Sequence, residues 1–534
     1  MSTRTAADRA VLGARIRTLD PERPWAQAVA MRDGTIVAVG ADADVREACD
    51  ARTELVDGTG LVIVPGLTDS HLHPVWATDL AVGVCAEGML DLAAFGAALR
   101  AERARVGPEA IVRAWSVDYG LFGDTLDGGL LAELAGGPAL IVLHDLHTYL
   151  ATPDLLERAG MTGEERFPDA SEVVVRDGRP TGELREFSAY FRLAGRLPGA
   201  SPEARRARVV EVLRELNALG LTGAHVMDGS PETYELLREL EARGELTMRL
   251  IVPLWVKPEH PESLHAEWTA HIDAHGELWR GGTAKFFIDG VVETGTAWLE
   301  APDADGGGRH PYWPEPDRYA AAVATYAGAG FACTTHAIGD RAVRAALDAY
   351  AAAGPPRRGL HRIEHLETVG DATLERLAGE SVAASMQPLH MRWRRADAGD
   401  EWARRLGPER VAHGFRTGDL LRSGAVVALG SDWPVAPADP RYGLAWARLR
   451  RAPGARDAPV FEPAQRLGAD DALAGYTTAP ARLAGESDRS GRIAPGLRAD
   501  LTGLASDPVA TPADELVDVP ICLTVVAGRV VHRA

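Results

Sequence analysis

The chain has 534 residues, 76 acidic against 57 basic, for a formal charge of −19; 46% of it is hydrophobic and 25% charged. That length excludes a single small domain and calls for a large core plus at least one further module. The composition excludes global disorder, and the acidity argues against a nucleic-acid partner, whose phosphates demand a basic face. The first residues lack the basic, apolar, then small-residue order of a signal peptide, and no run approaches the roughly 18 apolar residues that span a bilayer. Cys49, Cys85, Cys333 and Cys522 lie far apart with no Cys-x-x-Cys pair. That pattern speaks against a disulfide framework or a thiolate zinc site and fits a reducing cytoplasm.

In chain order, the first elements are short β runs, 13–19, 28–32, 35–39 and 54–56, broken by turns such as Asp33-Gly34 and Asp57-Gly58. The last run, 523–532, has the same style. Neither end can bury a core alone, so both are expected to pair as one small β-sandwich, with residues 1–62 and 481–534 as its two parts. The middle, 63–480, alternates short apolar strands with helical patterns, the signature of βαβ units. Candidate strands are 61–64, 223–227, 247–254, 283–288, 331–335, 361–364, 382–386 and 426–429. Helical patterns such as 202–219 and 320–327 lie between them. Eight such strands predict a closed (β/α)8 barrel of class α/β. The stretch of about 79–199 is too long for one crossover and reads as an insertion after the first strand.

Five strand ends carry metal-ligand types: His71 and His73 after strand one, Lys285 in strand four, His336 after strand five, His365 after strand six and Asp432 after strand eight. Residues two apart on a strand share a face, so His71 and His73 converge while Leu72 turns away. All five ends fall on the C-terminal face, where such barrels carry their chemistry. Imidazole and carboxylate donors suit zinc and similar divalent ions. Singly, each has a plain structural alternative, a core histidine or a turn aspartate; jointly they read as a metal site. The chain has only two lysines, Lys257 and Lys285, against 55 arginines, which asks what arginine could not do at those places.

The run Val64-Pro-Gly-Leu-Thr-Asp-Ser-His71-Leu-His73 and the order His-x-His, Lys, His, His, Asp resemble the amidohydrolase superfamily. Lys285-Phe-Phe-Ile-Asp-Gly, His336-Ala-Ile-Gly-Asp, Arg362-Ile-Glu-His365 and Gly430-Ser-Asp432-Trp-Pro-Val are similar to its amidohydrolase-3 branch, which includes N-substituted formamide deformylases. The resemblance covers nearly the whole chain. It implies a hydrolase acting on a C–N bond (amide, N-formyl, carbamate or cyclic amide) through a metal-bridging hydroxide. His71 and His73 would bind one divalent ion, zinc in type, and His336 and His365 a second. Lys285 would bridge them as a carbon dioxide-derived carbamate, and Asp432 would ligate the first ion and shuttle the proton. A buried ammonium beside two cations has a depressed pKa, and the neutral amine can capture carbon dioxide, whereas guanidinium stays protonated. Alternatives are a metal-dependent lyase such as a decarboxylase on the same ligands, or a non-catalytic relative.

For the substrate, Trp76, Trp255, Trp298 and Trp433 lie at or just past strand ends, and the insertion adds Trp115, Tyr119, Phe122 and Tyr149. These predict an aromatic pocket for an apolar or aryl substituent of a small molecule; the alternative is that they pack the insertion on the barrel. The Asp145-Leu-His147 element keeps the family's histidine, a candidate substrate contact, and lacks the asparagine that usually follows. Gln387 and His390 in Met386-Gln-Pro-Leu-His resemble a family element near the site, or else secure the loop after strand seven. Glu183 and Arg185 are expected to stabilise the insertion. Partners are expected to be the small-molecule substrate and a second copy of the chain in a homodimer, with no membrane.

Overall fold

The computed structural model describes residues 6–123, 125–395 and 397–534. At its centre is an eight-stranded sheet. In chain order the strands are β1 (Leu67–Leu72), β2 (Leu221–Val226), β3 (Arg249–Trp255), β4 (Trp279–Phe287), β5 (Ala332–Ala337), β6 (Arg362–His365), β7 (Ala383–Met386) and β8 (Val427–Leu429). Each pairs in parallel with the next. A parallel bridge between Leu72 and Trp433 closes the ring. Helices Pro231–Ala242, Pro316–Gly328 and Asp340–Ala353 follow β2, β4 and β5, giving the expected (β/α)8 barrel. Strands covered by helices outside and by each other inside are buried on both faces, and β2, β5 and β7 are buried at every position. In Asp340–Ala353, Val343, Ala346, Leu347 and Tyr350 are buried at three- and four-residue intervals, the stripe a helix turns to a sheet.

One strand differs from expectation. The sequence places the first barrel strand at 61–64, but Val62–Pro65 pairs antiparallel with Leu501–Leu504 in the sandwich, and β1 begins at Leu67. Both runs are short and apolar, so hydropathy does not separate them. Gly66 divides them at a close pass, where a Cβ would lie 2.2 Å from Thr222 Oγ1. The other seven strands overlap the runs expected of them.

Both chain ends do build one sandwich. A four-stranded sheet comes from the N-terminal segment alone, with Arg9–Leu12 between Ala28–Arg32 and Glu54–Asp57. The six-stranded sheet opposite mixes N-terminal strands with Leu501–Leu504, Ile521–Val526 and Arg529–Arg533. Val11, Val29, Ile63, Leu501 and Val525 share one core between them. Between β1 and β2 stands another six-stranded sheet, running from Val84–Cys85 to Arg179–Arg185, with helices Leu92–Val106 and Gly128–Ala135. Glu183 and Arg185 pair at 2.7 Å within it. No helix among the described residues is long and apolar enough to cross a membrane.

This insertion sheet has its own apolar cluster around Phe95, Leu131 and Ile141. Phe95→Ala is therefore expected to weaken it by about 3–5 kcal/mol through the lost transfer energy and the cavity left behind. Hydrogen exchange should speed up in Val112–Val117 and Ala139–Leu143 while the barrel strands keep their protection.

Candidate metal centre

The candidate ligands from the first and last strands of the barrel meet at its closing seam. The Asp432 N–H donates to the His71 carbonyl at 2.7 Å, and the His73 N–H donates to the Trp433 carbonyl at 2.9 Å. Asp69 staples the same seam: its Oδ1 accepts the His71 N–H at 2.9 Å, and its carboxylate accepts the Ser431 N–H at 3.1 Å. Burial pushes the Asp69 carboxyl up to about 7, against the pull of these donors. Gly430 lies so close that a Cβ would fall 2.6 Å from the His71 nitrogen. Asp432 and His365 adopt left-handed backbone at φ 62° and 73°, sparsely populated by non-glycine residues. At β6 that turn follows Glu364, so two consecutive side chains both reach the barrel interior.

Asp432 is the hub. Its Oδ1 lies 3.3 Å from His71 Nε2 and 3.2 Å from His73 Nε2; its Oδ2 lies 3.5 Å from His390 Nε2 and 3.8 Å from His365 Nδ1. Two donor groups follow, His71 with His73 and Asp432, and His365 with His390 and Asp432, each with ligand atoms within 4.8 Å of one another. The far nitrogens are pinned. His71 Nδ1 lies 2.6 Å from Glu364, His73 Nδ1 3.1 Å from Asp228, and His336 Nε2 3.1 Å from the Gly290 carbonyl. Such partners fix the tautomer and leave the other nitrogen free to ligate. Lys285 Nζ, His365 Nδ1 and His390 Nε2 are buried with no hydrogen-bond partner. Unpaired donors gathered round one carboxylate are costly alone and fit a cation.

The electrostatics agree. Burial presses the Lys285 amine down to about 8, opposed by Glu364 and Asp432. Burial also holds His336 and His365 well below the ordinary imidazole range, aided by neighbouring cations, in the neutral form that binds metal. Burial pulls His73 down too, but Asp228 and Asp432 prevail and lift it to about 9. Burial alone would raise Asp432; His71, His73 and His365 instead hold it well below the carboxylate range. Lys257, the other lysine, lies outside this cluster, its ammonium 4.0 Å from the Phe191 ring centre and 4.5 Å from that of Trp255.

A cavity of about 50 Å3 opens above these donors. His71, His73, His336, His365 and Asp432 line it. So do Trp76 and His147, whose Nδ1 meets Glu186 at 2.7 Å. Three expected substrate contacts, Trp298, Gln387 and Trp433, are not among the residues that line this cavity. The Trp298 backbone N–H donates to Asp289 at 2.9 Å and its ring packs under Arg341. Gln387 is buried and donates to the Ser385 carbonyl at 3.3 Å. The Trp433 ring packs against the main core. Strand ends are a poor guide here, because a residue just past a strand can turn under the loop as easily as over it. The aromatic wall is Trp76, Phe187, Phe287 and Trp393, interrupted by Glu293 and Arg394. Reasoning from the sequence passes over Asp69, Asp228, Glu364 and the place of His390 beside Asp432. The available signal is the carboxylate beside a ligand, in Asp69-Ser-His71 and Glu364-His365.

The family model described as the amidohydrolase family matches residues 54–532. The chain belongs to that family. This amidohydrolase is 28% identical to the protein YtcJ of Bacillus subtilis (strain 168), over 98% of both chains. It is 27% identical to the N-substituted formamide deformylase of Arthrobacter pascens, over 98% of this chain and 97% of that one. An uncharacterized metal-dependent hydrolase from Pyrococcus horikoshii OT3 has the same fold, at TM-score 0.73 and 22% identity over 95% of this chain and 99% of that one. Family membership marks the chain as a hydrolase, and its histidine–aspartate clusters suit a divalent metal. Gly430→Ala should push β1 and β8 apart at the ligands. Metal bound after dialysis should fall at least about tenfold, while far-UV circular dichroism stays close to that of the parent.

Proposed function

We propose that this amidohydrolase holds two divalent ions, zinc in type, and hydrolyses the C–N bond of a small amide-like molecule. The observation that carries the reading is the convergence on Asp432 of His71, His73, His365 and His390 beside the unpartnered Lys285. Likeness to a formamide deformylase supports an N-formyl or N-acyl compound, with carbamates and cyclic amides as near chemistry. Divalent ions held by such donors polarise a carbonyl and acidify a water. His71 and His73 would hold the first, His336 and His365 the second.

The chain's own residues do the rest. Lys285 sits near the end of β4 with its amine buried at a pKa of about 8, so a sizeable neutral fraction exists near neutral pH. That nitrogen can form a bond to carbon dioxide and lose a proton, which turns a buried cation into an anionic carbamate able to bridge. Asp432, kept ionised by the surrounding imidazoles, is the base that takes the proton from the attacking water and delivers it to the leaving nitrogen. Trp76, Phe187 and Phe287 give an apolar or aryl substituent its surface.

Purification without chelator should yield about two divalent ions per chain by elemental analysis, and turnover of N-formyl, N-acyl, carbamate or cyclic amide compounds should place labelled water oxygen in the acid product. Carbon dioxide release without water incorporation would indicate a lyase instead. Lys285→Arg should lose metal and turnover, because guanidinium forms no carbamate. Lys285→Ala should lose turnover and regain part of it with a short carboxylic acid in solution. Wild-type turnover in the arginine variant would overturn the role given to Lys285. Trp76→Ala should raise KM several-fold more for aryl-bearing than for small substrates, while Trp298→Ala affects both alike. Equal effects of Trp76→Ala across substrate size would mean that it only packs.

A further inference from the structure

Beneath the metal centre, the barrel interior contains a complete ion pair. Arg362 and Glu364 stand two apart on β6 and so point the same way, into the barrel. Both are buried, Arg362 to 3% exposure and Glu364 to 0%. Arg362 Nε lies 2.8 Å from Glu364 Oε1, and the Thr334 hydroxyl donates to that same oxygen. Glu364 Oε2 takes the His71 Nδ1–H at 2.6 Å. The guanidinium reaches the ligand strand a second way, donating to the Ser70 carbonyl at 3.1 Å, one residue before His71. The same nitrogen, Nη1, lies 2.9 Å from His225 Nδ1 on β2, Nε donates to Thr334 Oγ1 on β5 at 3.0 Å, and Nη2 meets the Met227 sulfur at 3.7 Å.

We propose that Arg362 and Glu364 are positioning residues for the first metal: Arg362 sets Glu364, and the two together set both the ring and the backbone of His71. The inference rests on the reading of His71 as a metal ligand. A buried ion pair is a poor source of stability, since desolvation cancels most of its attraction. What it does supply is direction. Glu364 must present one oxygen to the guanidinium charge and the Thr334 hydroxyl and the other to the imidazole N–H. Only an ionised carboxylate does both, and an amide gives up one of the two bonds. A fixed Nδ1–H on His71 keeps its Nε2 lone pair turned to the ion. Lysine cannot replace Arg362, because one ammonium cannot reach acceptors on β1, β2, β5 and β6 in a single plane.

The test is affinity for zinc, measured by chelator competition, beside thermal unfolding of the metal-stripped protein. Glu364→Gln is expected to weaken zinc binding by about 10–100-fold, the size of effect that lost outer partners have on metal sites, and to lower the metal-free melting temperature as well, because it leaves the Arg362 guanidinium buried without its counter-charge. Arg362→Met alone leaves a buried unpaired carboxylate and can fail to fold. The double variant Arg362→Met/Glu364→Met removes both charges. It is expected to fold and melt like the parent yet to lose zinc affinity to the same extent as Glu364→Gln. Arg362→Lys should not restore affinity. Parent-like zinc affinity in Glu364→Gln or in the folded double variant would overturn the proposal. His71→Ala tells apart the failure of the underlying reading: if it too keeps full zinc content, His71 is no ligand and there is nothing for the pair to position.

Discussion

Two backbone hydrogen bonds, Asp432 to His71 and His73 to Trp433, are the constraint on which the rest of the centre depends. They are made where the last barrel strand returns to the first, so closing the sheet and bringing the candidate metal ligands together are the same event. A parallel sheet that stayed open at this edge would leave His71 and Asp432 on opposite sides of the molecule. Asp69 and Gly430 serve the same join. One bridges the two strands with its carboxylate, and the other leaves room for them to touch. The left-handed backbone at Asp432 is held by that framework, which over-determines a conformation a free chain would avoid.

Around the seam the charges are arranged in two layers. His71, His73, His365 and His390 each turn a ring nitrogen to Asp432, and the Lys285 amine lies 4.5 Å from the Phe287 ring centre. Carboxylates stand behind, Glu364 on His71 and Asp228 on His73, and Asp228 also accepts the Trp76 N–H at 2.8 Å. Asp289 makes a third support under β5, taking backbone N–H groups from Trp298, Ile338 and Gly339. Burial raises its carboxyl to about 8 in spite of them. So many buried ionisable groups are expensive to fold around, and a bound cation is the natural compensation. The site is thereby assembled by the barrel but stabilised by what it binds.

The insertion gives the centre its wall. His147 and Phe187 come from it and line, with Asp432, a cavity of about 50 Å3, far below the roughly 300–1,000 Å3 of an ordinary small-molecule pocket. An aryl-bearing substrate fits only if that wall yields. The insertion sheet joins the barrel core through Leu140, Val142, Tyr149 and Leu184 on one face and keeps the Phe95 cluster on the other, so any movement of the wall draws on both.

Much of this is legible in the sequence. The period of the apolar runs announces parallel strands alternating with helices. The spacing of His71 and His73 puts two imidazoles on one face, and a lysine in an apolar strand of an arginine-rich chain singles out Lys285. Those are local facts, carried by residues within a few places of one another. The run 61–64 reads as a barrel strand and belongs to the sandwich because hydropathy records burial and not the partner that provides it. Trp298 and Trp433 read as pocket residues for a similar reason: position past a strand end does not say which way a loop turns. Glu364 behind His71, Asp228 behind His73 and His390 beside His365 are pairings across tens to hundreds of residues, made by barrel closure. The sequence by itself determined the kind of fold and the donor atoms available. Only the tertiary structure decided which of them face one another, because that depends on register and closure, which no local pattern encodes.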